Sequence, residues 1–344
     1  MKVDLPLAVP NNRLAAVAEV ASMAEEAGFD GVSYSETSSD PLLHLTVAAG
    51  VTSRVQLMTN VVIAFARSPM TLAVQARALQ DYSQGRLILG LGSQVKAHIE
   101  RRFSMPWSSP AARMKEFIAA MQAIWRAWDD GEKLDFRGDF YTHTLMTAMF
   151  MPVSEFAPPP IYLAAVGERM TEVAGEVAAG LFVHPFSTER YLREVTLPAV
   201  ARGRANAALS AASFDVVNAA LIVTGRTEDE FQRSVQAVRA QLAFYASTPA
   251  YLPVLALHGW TELGSELNRL SRGGDPGRWA QMAALVDDEV LDAFAIVGEP
   301  DEIGPRLMAR YGGLITRYKL NSAGIPDPEL ARLVGRGIQR EIAQ

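Results

Sequence analysis

The stretch Ser83-Gln84-Gly85-Arg86-Leu87-Ile88-Leu89-Gly90-Leu91-Gly92 decides the predicted fold. It places a glycine turn before an almost uninterrupted apolar run, which is typical of a strand covered on both faces of a parallel sheet. The preceding helix opens at Ser68-Pro69, with serine as the N-terminal cap and proline at the first helical position. A helix that leads through a tight turn into a buried strand predicts an α/β protein.

The same alternation of short apolar strands and amphipathic helices runs along the chain. It predicts strands at residues 3–5, 31–35, 55–63, 86–91, 161–165, 181–184, 214–223 and 314–320, with a further short strand at 295–298. Helices are predicted at 14–27, 41–50, 68–85, 109–128, 168–179 and 300–311, and after Thr188, Thr227 and Asp327. These repeated units favour one (β/α)8 TIM barrel, with residues 1–344 as a single domain. A doubly wound sheet is the alternative.

Two longer segments do not follow this alternation. Residues 129–160 are rich in aromatic residues and methionine, and residues 246–292 are partly helical. Connections of this length are usually functional loops or small subdomains, so both are predicted to be insertions into the barrel. The apolar residues of the first insertion suit a lid and a subunit contact equally well. They are Met146, Met149, Phe150 and Met151.

Composition excludes several classes of function. The chain has 344 residues, 32 Lys and Arg against 38 Asp and Glu, and no cysteine, which excludes thiolate catalysis and cysteine-ligated metals. A net charge of −6 without a long basic run argues against nucleic-acid binding. No apolar run reaches the roughly 18–20 residues that span a bilayer, and the first residues do not resemble a signal peptide. We therefore expect a cytoplasmic protein that binds neither nucleic acid nor membrane.

Common motifs for cofactors and metals are missing. Gly90-Leu91-Gly92 follows a strand, but the third glycine of a dinucleotide fingerprint would fall at Val95, and the next residues are expected to stay a loop as far as Arg102. The chain contains no GxxxxGK, HExxH or GxSxG motif. No metal site is expected, because the five histidines are far apart in sequence. They are His44, His98, His143, His184 and His258.

Polar residues that follow the predicted strands form the candidate site. In a parallel barrel, the carboxyl ends of the strands meet at one mouth, where the chemistry takes place. The residues expected there are Ser35, Glu36, Thr37, Asn60, Ser93, Gln94, Lys96, His98 and His184. Each of them alone is better explained as a solvated loop residue or a satisfied polar group of the barrel, but together at one mouth they favour a polar pocket. At Ala164-Ala165-Val166-Gly167, small residues precede a helix, so backbone N–H groups could hold an anion, although a tight turn explains the pattern as well.

Four blocks, in this order, resemble the luciferase-like flavin and deazaflavin oxidoreductase superfamily. They are residues 24–32, residues 67–69 with 83–92, residues 160–165 and residues 297–303. Within that superfamily the chain is similar to the actinobacterial branch that uses coenzyme F420, and residues 94–107 resemble one uncharacterised subgroup of it. The resemblance implies a luciferase-like TIM barrel and an oxidoreductase that transfers a hydride between the deazaflavin and a small organic substrate.

The resemblance also places the cofactor in the barrel mouth. It implies a non-prolyl cis peptide bond at Asn60–Val61 behind the ring, and contacts of the phosphate-bearing tail with the backbone at residues 164–167. Lys96, Arg101 and Arg102 could hold the acidic tail or an anionic substrate, or could be surface charges. The implied cofactor-binding residues are Glu36, Thr37, Asn60, Val61, Gly92, Ser93, Ala164, Ala165, Val166 and Gly167.

Two acid–base positions of related dehydrogenases are changed in this chain. Where sugar-phosphate and alcohol dehydrogenases of the superfamily have an acid followed by histidine, this chain has Glu36 followed by Thr37, and Val95 stands in place of their catalytic glutamate. Their substrates and proton chemistry are therefore not transferred. The remaining catalytic candidates are His184 and His98, as proton relays, and Glu36, as a hydrogen-bond partner of the ring.

Two alternative functions and a homodimer are also predicted. The alternatives are an FMN-dependent luciferase-like monooxygenase, in which reduced flavin reacts with oxygen, and a non-catalytic flavin-binding protein. Besides the small-molecule substrate, the resemblance implies a homodimer formed through the helices that follow the early strands. The apolar residues predicted for that surface, which could instead face the barrel, are Leu42, Leu43, Leu45, Val47, Leu72, Val74 and Leu79.

Overall fold

Parallel strands close into a ring in the computed structural model. The structure describes residues 1–210, 214–321, 323–325 and 327–343, without the side chain of Pro10. In chain order, the strands of these residues are β1 (Lys2–Pro6), β2 (Gly31–Tyr34), β3 (Gln56–Thr59), β4 (Val62–Ile63), β5 (Leu87–Gly92), β6 (Phe136–Arg137), β7 (Thr142–His143), β8 (Ile161–Ala165), β9 (Gly180–Val183), β10 (Asp215–Asn218), β11 (Leu221–Val223), β12 (Ala295–Val297) and β13 (Arg317–Lys319).

Helices separate eight of the twelve consecutive pairs of these strands. They are α1 (Val17–Glu26), α2 (Pro41–Val51), α3 (Pro69–Tyr82), α4 (Lys96–Arg101), α5 (Pro110–Asp129), α6 (Glu168–Val177), α7 (Glu189–Tyr191), α8 (Leu197–Asn206), α9 (Glu228–Ala246), α10 (Leu252–Leu257), α11 (Thr261–Ser271), α12 (Arg278–Ala284), α13 (Asp288–Phe294), α14 (Ile303–Tyr311) and α15 (Pro328–Ile342). No helix within the described ranges is long and apolar enough to cross a membrane.

Eight strands form the barrel, in the order β3-β2-β1-β13-β10-β9-β8-β5, and β5 pairs with β3 to close the ring. All eight pairings are parallel. The short strand β4 follows β3 and also pairs with β5. The predicted (β/α)8 barrel is therefore confirmed, and the doubly wound alternative is wrong.

Two predicted strands are each broken in the structure. Residues 55–63 form β3 and β4, which are separated at Asn60 and Val61, and the peptide bond between these two residues is cis, as the resemblance implied. Residues 214–223 form β10 in the barrel and β11 outside it, where β11 pairs with β12 in a two-stranded sheet. Six of the nine residues in 55–63 and eight of the ten in 214–223 are apolar, and they lie on both sides of each break, so the hydrophobic pattern does not mark the break.

The residues after β5 form helix α4, whereas the sequence predicted a loop as far as Arg102. The helix begins after the exposed Val95, and Ile99 is its one buried residue. A single buried position in six residues gives too weak an apolar periodicity to predict a helix.

Helix ends follow the predicted signals with one exception. Ser68, Thr188, Thr227 and Asp327 each accept a hydrogen bond from a backbone N–H in the first turn of their helix. Gly28 after α1 has a φ of 86°, the left-handed conformation expected of a glycine at that position. The exception is Ser109, whose φ of 6° and ψ of 73° lie outside the extended region that an N-terminal cap needs, and whose side chain does not cap α5.

The two predicted insertions fold differently. In residues 129–160, β6 and β7 form an antiparallel pair, and four apolar side chains are more than half exposed. These are Leu145, Met149, Phe150 and Val153. In residues 246–292, helices α10 to α13 pack with α9 around an apolar cluster separate from the main core. That residues 1–344 form a single domain stays a prediction.

Most of the apolar surface predicted for a dimer belongs to the core. Leu42, Leu45, Leu72 and Leu79 are buried, so the alternative that these residues face the barrel is correct for them. Leu43 and Val74 are 56% and 49% exposed. Helix α2 is apolar on nearly all sides, and for that reason its sequence does not reveal which side faces the barrel.

A buried ion pair joins the first and last strands of the barrel. Arg317 on β13 donates to both carboxylate oxygens of Asp4 on β1, with Nε–Oδ2 at 2.9 Å and Nη2–Oδ1 at 2.5 Å. The two side chains are 1% and 0% exposed. Nη1 of Arg317 also donates to Oε1 of Gln56 on β3, at 2.5 Å. Gly31 on β2 leaves room for the pair, since a Cβ there would lie 2.7 Å from Oδ1 of Asp4.

Replacing Arg317 by methionine is expected to lower the free energy of unfolding by about 3–5 kcal/mol, because the Asp4 carboxylate stays buried without its partner. Arg306→Met is the matched control: Arg306 pairs with Glu302 on an exposed helix face, where such a pair is worth about 0.3–0.5 kcal/mol. Urea denaturation near neutral pH measures both variants. Equal losses of stability would contradict the structural role of the buried pair.

Candidate active site

The carboxyl ends of the barrel strands bring several predicted site residues to one mouth. Below it, the barrel interior is filled by Met58, Ile88, Tyr162, Phe182 and Val217. Side chains alternate along a strand, so the residues two positions further along β5, β8 and β9 also point inward. They are Gly90, Ala164 and His184.

Glu36 anchors the backbone at the break between β3 and β4. Its Oε2 accepts a hydrogen bond from the Ile63 N–H at 2.7 Å, and both of its oxygens accept from Nη1 of Arg67, at 2.8 and 3.0 Å. Nη2 of Arg67 donates to Asp40 at 2.9 Å. Burial lowers the pKa of Arg67, but the two carboxylates outweigh burial and raise the pKa above its ordinary value. Because the Glu36 carboxylate is already paired, its geometry suits positioning rather than proton transfer.

Two glycines of β5 let neighbouring groups pack closely on one side of the mouth. A Cβ on Gly90 would lie 1.9 Å from the Thr59 carbonyl oxygen, and a Cβ on Gly92 would lie 2.6 Å from Cγ2 of Val61 and 4.0 Å from Cβ of Ala164. Oγ1 of Thr59 bonds to both the N–H and the carbonyl of Gly90, at 2.7 and 2.8 Å. We call the surface formed by Gly90, Gly92, Val61 and Ala164 the glycine wall.

Residues 164–167 lead directly from β8 into helix α6. Gly167 is the N-terminal cap residue, no side chain caps the helix, and the Gly167 carbonyl accepts from the N–H and Oγ1 of Thr171 at 3.1 Å. Ala165 is buried, whereas Gly167 is exposed, and a Cβ on Gly167 would meet no atom within 4 Å. Backbone N–H groups at an uncapped helix start bind anions, so this segment fits the phosphate-bearing tail of a cofactor.

His184 is held by two hydrogen bonds in one tautomer. Its Nδ1 lies 3.0 Å from the Phe186 N–H, which can only donate, so Nδ1 is the unprotonated nitrogen. The proton of the neutral ring is then on Nε2, which donates to Oη of Tyr251 at 3.0 Å. The Tyr251 ring stacks on the imidazole at 4.5 Å, and Tyr245 packs edge-on at 4.8 Å. Both tyrosines belong to α9 and the insertion after it, so no local sequence pattern predicts the contact.

Burial lowers the pKa of His184 to about 4, and the positive charge of Lys319 lowers it further. Since the ordinary value is 6.5, the unfolded chain binds the proton more readily than the folded chain. The free energy of unfolding contributed by this residue is therefore fully present above pH 6.5 and falls as the pH drops towards about 4.

His184→Asn is expected to flatten the pH dependence of stability between pH 6.5 and 4, because the variant has no imidazole to protonate. Urea denaturation at several pH values in this window measures the slope. His98→Asn is the matched control, since His98 is exposed on α4, and it should keep the wild-type slope. An unchanged slope in His184→Asn would rule out a buried neutral imidazole.

Lys319 is a charged residue at the mouth that the sequence analysis did not predict. It ends β13, two positions after the inward-pointing Arg317, and is half-buried. Burial lowers the pKa of Lys319 to about 8, and the nearby Asp4 carboxylate opposes this shift. Its place in a predicted barrel strand was the one signal available in the sequence.

The other predicted site residues lie around the rim. The Thr37 carbonyl accepts a hydrogen bond from Nη2 of Arg102, and Oγ of Ser93 donates to the Gln94 carbonyl at 3.1 Å. His98 is exposed and forms no side-chain hydrogen bond or ring contact within the described part of the chain. The structure therefore does not place His98 in the polar cluster around His184.

Known proteins share both sequence and fold with this chain. A family model described as luciferase-like monooxygenase matches residues 2–317. A protein of Mycobacterium tuberculosis described as uncharacterized is 50% identical over 307 residues, which cover 89% of each chain.

Two solved structures share the fold at low sequence identity. The coenzyme F420 dependent tetrahydromethanopterin reductase from Methanopyrus kandleri has a TM-score of 0.80 at 21% identity and covers 98% of both chains. An F420-dependent secondary alcohol dehydrogenase in complex with an F420-acetone adduct has a TM-score of 0.75 at 18% identity, with 99% of this chain and 98% of that chain covered. At these identities, the likeness establishes the barrel.

Proposed function

The chain belongs to the luciferase-like monooxygenase family, and we propose that it is an F420-dependent oxidoreductase that acts on a small organic substrate. The deazaflavin, when bound, supplies the two-electron chemistry, a hydride transfer to or from a substrate stacked against its ring. The residues of the protein bind and orient the reactants and exclude water from them.

The glycine wall is the observation that supports this proposal most directly. Gly90 and Gly92 let the Thr59 carbonyl, Phe182 and Val61 pack directly onto β5, so no side chain of β5 projects into the mouth there. Val61 and Ala164, both half-buried, form the apolar surface that remains open to the mouth. A planar ring can lie on such a surface without displacing a side chain. Residues 164–167 continue from this wall into the uncapped start of α6, where backbone N–H groups suit a phosphate-bearing tail.

The choice of F420 over FMN is supported by sequence. The chain resembles the branch of the family that uses F420, and residues 94–107 resemble one uncharacterised subgroup of that branch. An FMN-dependent monooxygenase is the alternative within the family. A non-catalytic flavin-binding protein is the alternative of another class, since Thr37 and Val95 replace two expected acid–base residues.

Tyr251 is a better candidate than His184 for donating a proton to a substrate at the mouth. Nδ1 of His184 can take up a proton only by giving up its hydrogen bond from the Phe186 N–H. Oη of Tyr251 accepts the Nε2 proton of His184, so its own hydroxyl proton can be donated to a substrate. We therefore assign Glu36 and His184 as positioning residues, the first for the break between β3 and β4 and the second for Tyr251.

Titration of the purified protein with F420 and, separately, with FMN tests the proposed cofactor. We expect F420 to bind with micromolar affinity and FMN to bind much more weakly. Quenching of fluorescence measures both affinities. Gly92→Ala should weaken F420 binding, because its methyl group would displace Val61 into the space of the ring. Gly274→Ala is the matched control, since Gly274 is exposed in the second insertion, outside the proposed cofactor contacts, and its methyl group would meet no atom within 4 Å.

Micromolar binding of FMN without binding of F420 would overturn the choice of cofactor. Hydride transfer between the bound cofactor and any substrate of a screened panel would dismiss the non-catalytic alternative. Equal F420 affinity in the Gly92→Ala and wild-type proteins would show that the ring does not lie on the glycine wall.

We propose further that the chain forms a homodimer through α2 and α3. Leu43, Val74 and Tyr82 are exposed on these two helices, at 56%, 49% and 56%. Replacing Leu43 and Val74 together by serine is expected to weaken the dimer while leaving the fold intact, because neither residue lies in the core. Sedimentation at micromolar concentration measures the oligomeric state. A monomeric wild-type protein under these conditions would refute the dimer.

A further inference from the structure

Lys319 is the one half-buried lysine within the described ranges. Only five of the 32 Lys and Arg residues are lysines, and the other four are exposed. They are Lys2, Lys96, Lys115 and Lys133. Lysine is thus rare in this chain, and one of its few copies ends a barrel strand at the mouth.

Among the described residues, Lys319 also has no partner for its charge. Its Nζ forms neither a hydrogen bond nor an ion pair with the residues that the structure describes. The two neighbouring cations of the barrel are both paired: Arg317 with Asp4, and Arg67 with Glu36. With a pKa of about 8, the Lys319 ammonium is still mostly protonated at neutral pH.

The groups that face Lys319 do not neutralise it. Asp4 on β1 is already bonded to Arg317 through both oxygens. His184 on β9 is uncharged above about pH 4, and Tyr251 beside it is a neutral phenol, because burial raises its pKa to about 12. On β10, Val217 is level with Arg317, so Asp215 lies two residues lower and roughly 13 Å below Lys319 along the strands.

Lys319 faces the glycine wall across the mouth. In the closed ring, β13 is separated from β5 by β10, β9 and β8 in one direction, and by β1, β2 and β3 in the other. The two strands are therefore diametrically opposite. If a planar ring lies against the glycine wall, the other face of the ring is open to the substrate. Lys319 is on that open side.

We propose that Lys319 binds a carboxylate group of the substrate, opposite the cofactor. This inference rests on the proposed function, because the position of the cofactor defines the side on which the substrate lies. A single ammonium balances a single negative charge, which favours a monoanionic carboxylate over the dianion of a phosphate ester. The substrate class is accordingly a small organic carboxylic acid, anchored by its carboxylate so that its reacting carbon stacks on the ring.

Binding of benzoate and of benzamide to protein labelled with isotopes at lysine tests this proposal. The two probes have nearly the same shape and differ in charge, and five lysines give few side-chain amine signals to assign. Benzoate is expected to shift the signal of Lys319 and to bind about tenfold more tightly than benzamide, because only benzoate pairs with the ammonium. The affinity for benzoate should fall as the pH rises through about 8, where Lys319 loses its proton.

Three variants separate charge at this position from charge elsewhere. Lys319→Met should abolish the preference for benzoate, and Lys319→Arg should keep most of it. Lys133→Met removes an exposed charge and should leave the preference for benzoate unchanged. Circular dichroism shows whether each variant is folded, and the pH dependence of the wild-type protein tests the proposal without any substitution.

Four results would overturn the proposal. They are equal affinities for benzoate and benzamide, a shift of an exposed lysine instead of Lys319, an affinity for benzoate independent of pH up to 9, and tighter binding of inorganic phosphate than of benzoate. The measurements are made with the full chain, first alone and then with F420 or FMN. Failure of F420 to bind would therefore contradict the proposed function while leaving the preference for benzoate measurable.

Discussion

The ion pair between Asp4 and Arg317 fixes the barrel on which the rest of the structure depends. It joins residues 313 positions apart and lies where the first and last barrel strands meet, so it sets the register at the closure of the ring. A shift of one residue would turn the side chains of β13 to the other face and would leave both charges without partners. The same register places Lys319 above Arg317 inside the barrel. Lys319 is level with Asp4 and two residues above Arg317, so its position follows from the register that this pair fixes.

The two sides of the mouth differ in chemistry because they come from different parts of the chain. The glycine wall consists of residues from the strand break and from β5 and β8. The Thr59 carbonyl leaves no space for a side chain on Gly90, and the Val61 side chain leaves none on Gly92. The other side receives Tyr245 and Tyr251 from α9 and the insertion that follows, whose own apolar cluster holds them over His184. One side is therefore apolar, while the other offers hydrogen-bond donors and a positive charge.

The alternation of strands and helices in the sequence predicted the barrel, because each βα unit has its own turn, cap and apolar pattern. The breaks in residues 55–63 and 214–223 could not be predicted, since they depend on which neighbouring strand each half pairs with. Glu36 and Asn60 were predicted from their positions after and within barrel strands, and Gly92 was implied by the resemblance. Their part in a cofactor site stays a prediction. The bond between Tyr251 and His184 joins residues 67 positions apart. Lys319 became a candidate binding residue because its ammonium has no partner among the described residues, and only three-dimensional packing reveals this. Arg67 stood in a resembling block, but its pairing with Glu36 is also a long-range contact.

Closure of the ring by β1 and β13 also affects how the chain is made on the ribosome. One edge of β1 can pair with β2 as soon as residues 31–34 are available, whereas the other edge has no strand to pair with until Arg317 has been added. At roughly 5–20 residues per second, this takes roughly 15 to 60 seconds. An unpaired apolar edge invites association with other chains, and an inward-pointing charge on an edge strand discourages it. Until Arg317 arrives, the carboxylate of Asp4 would protect the nascent chain in this way.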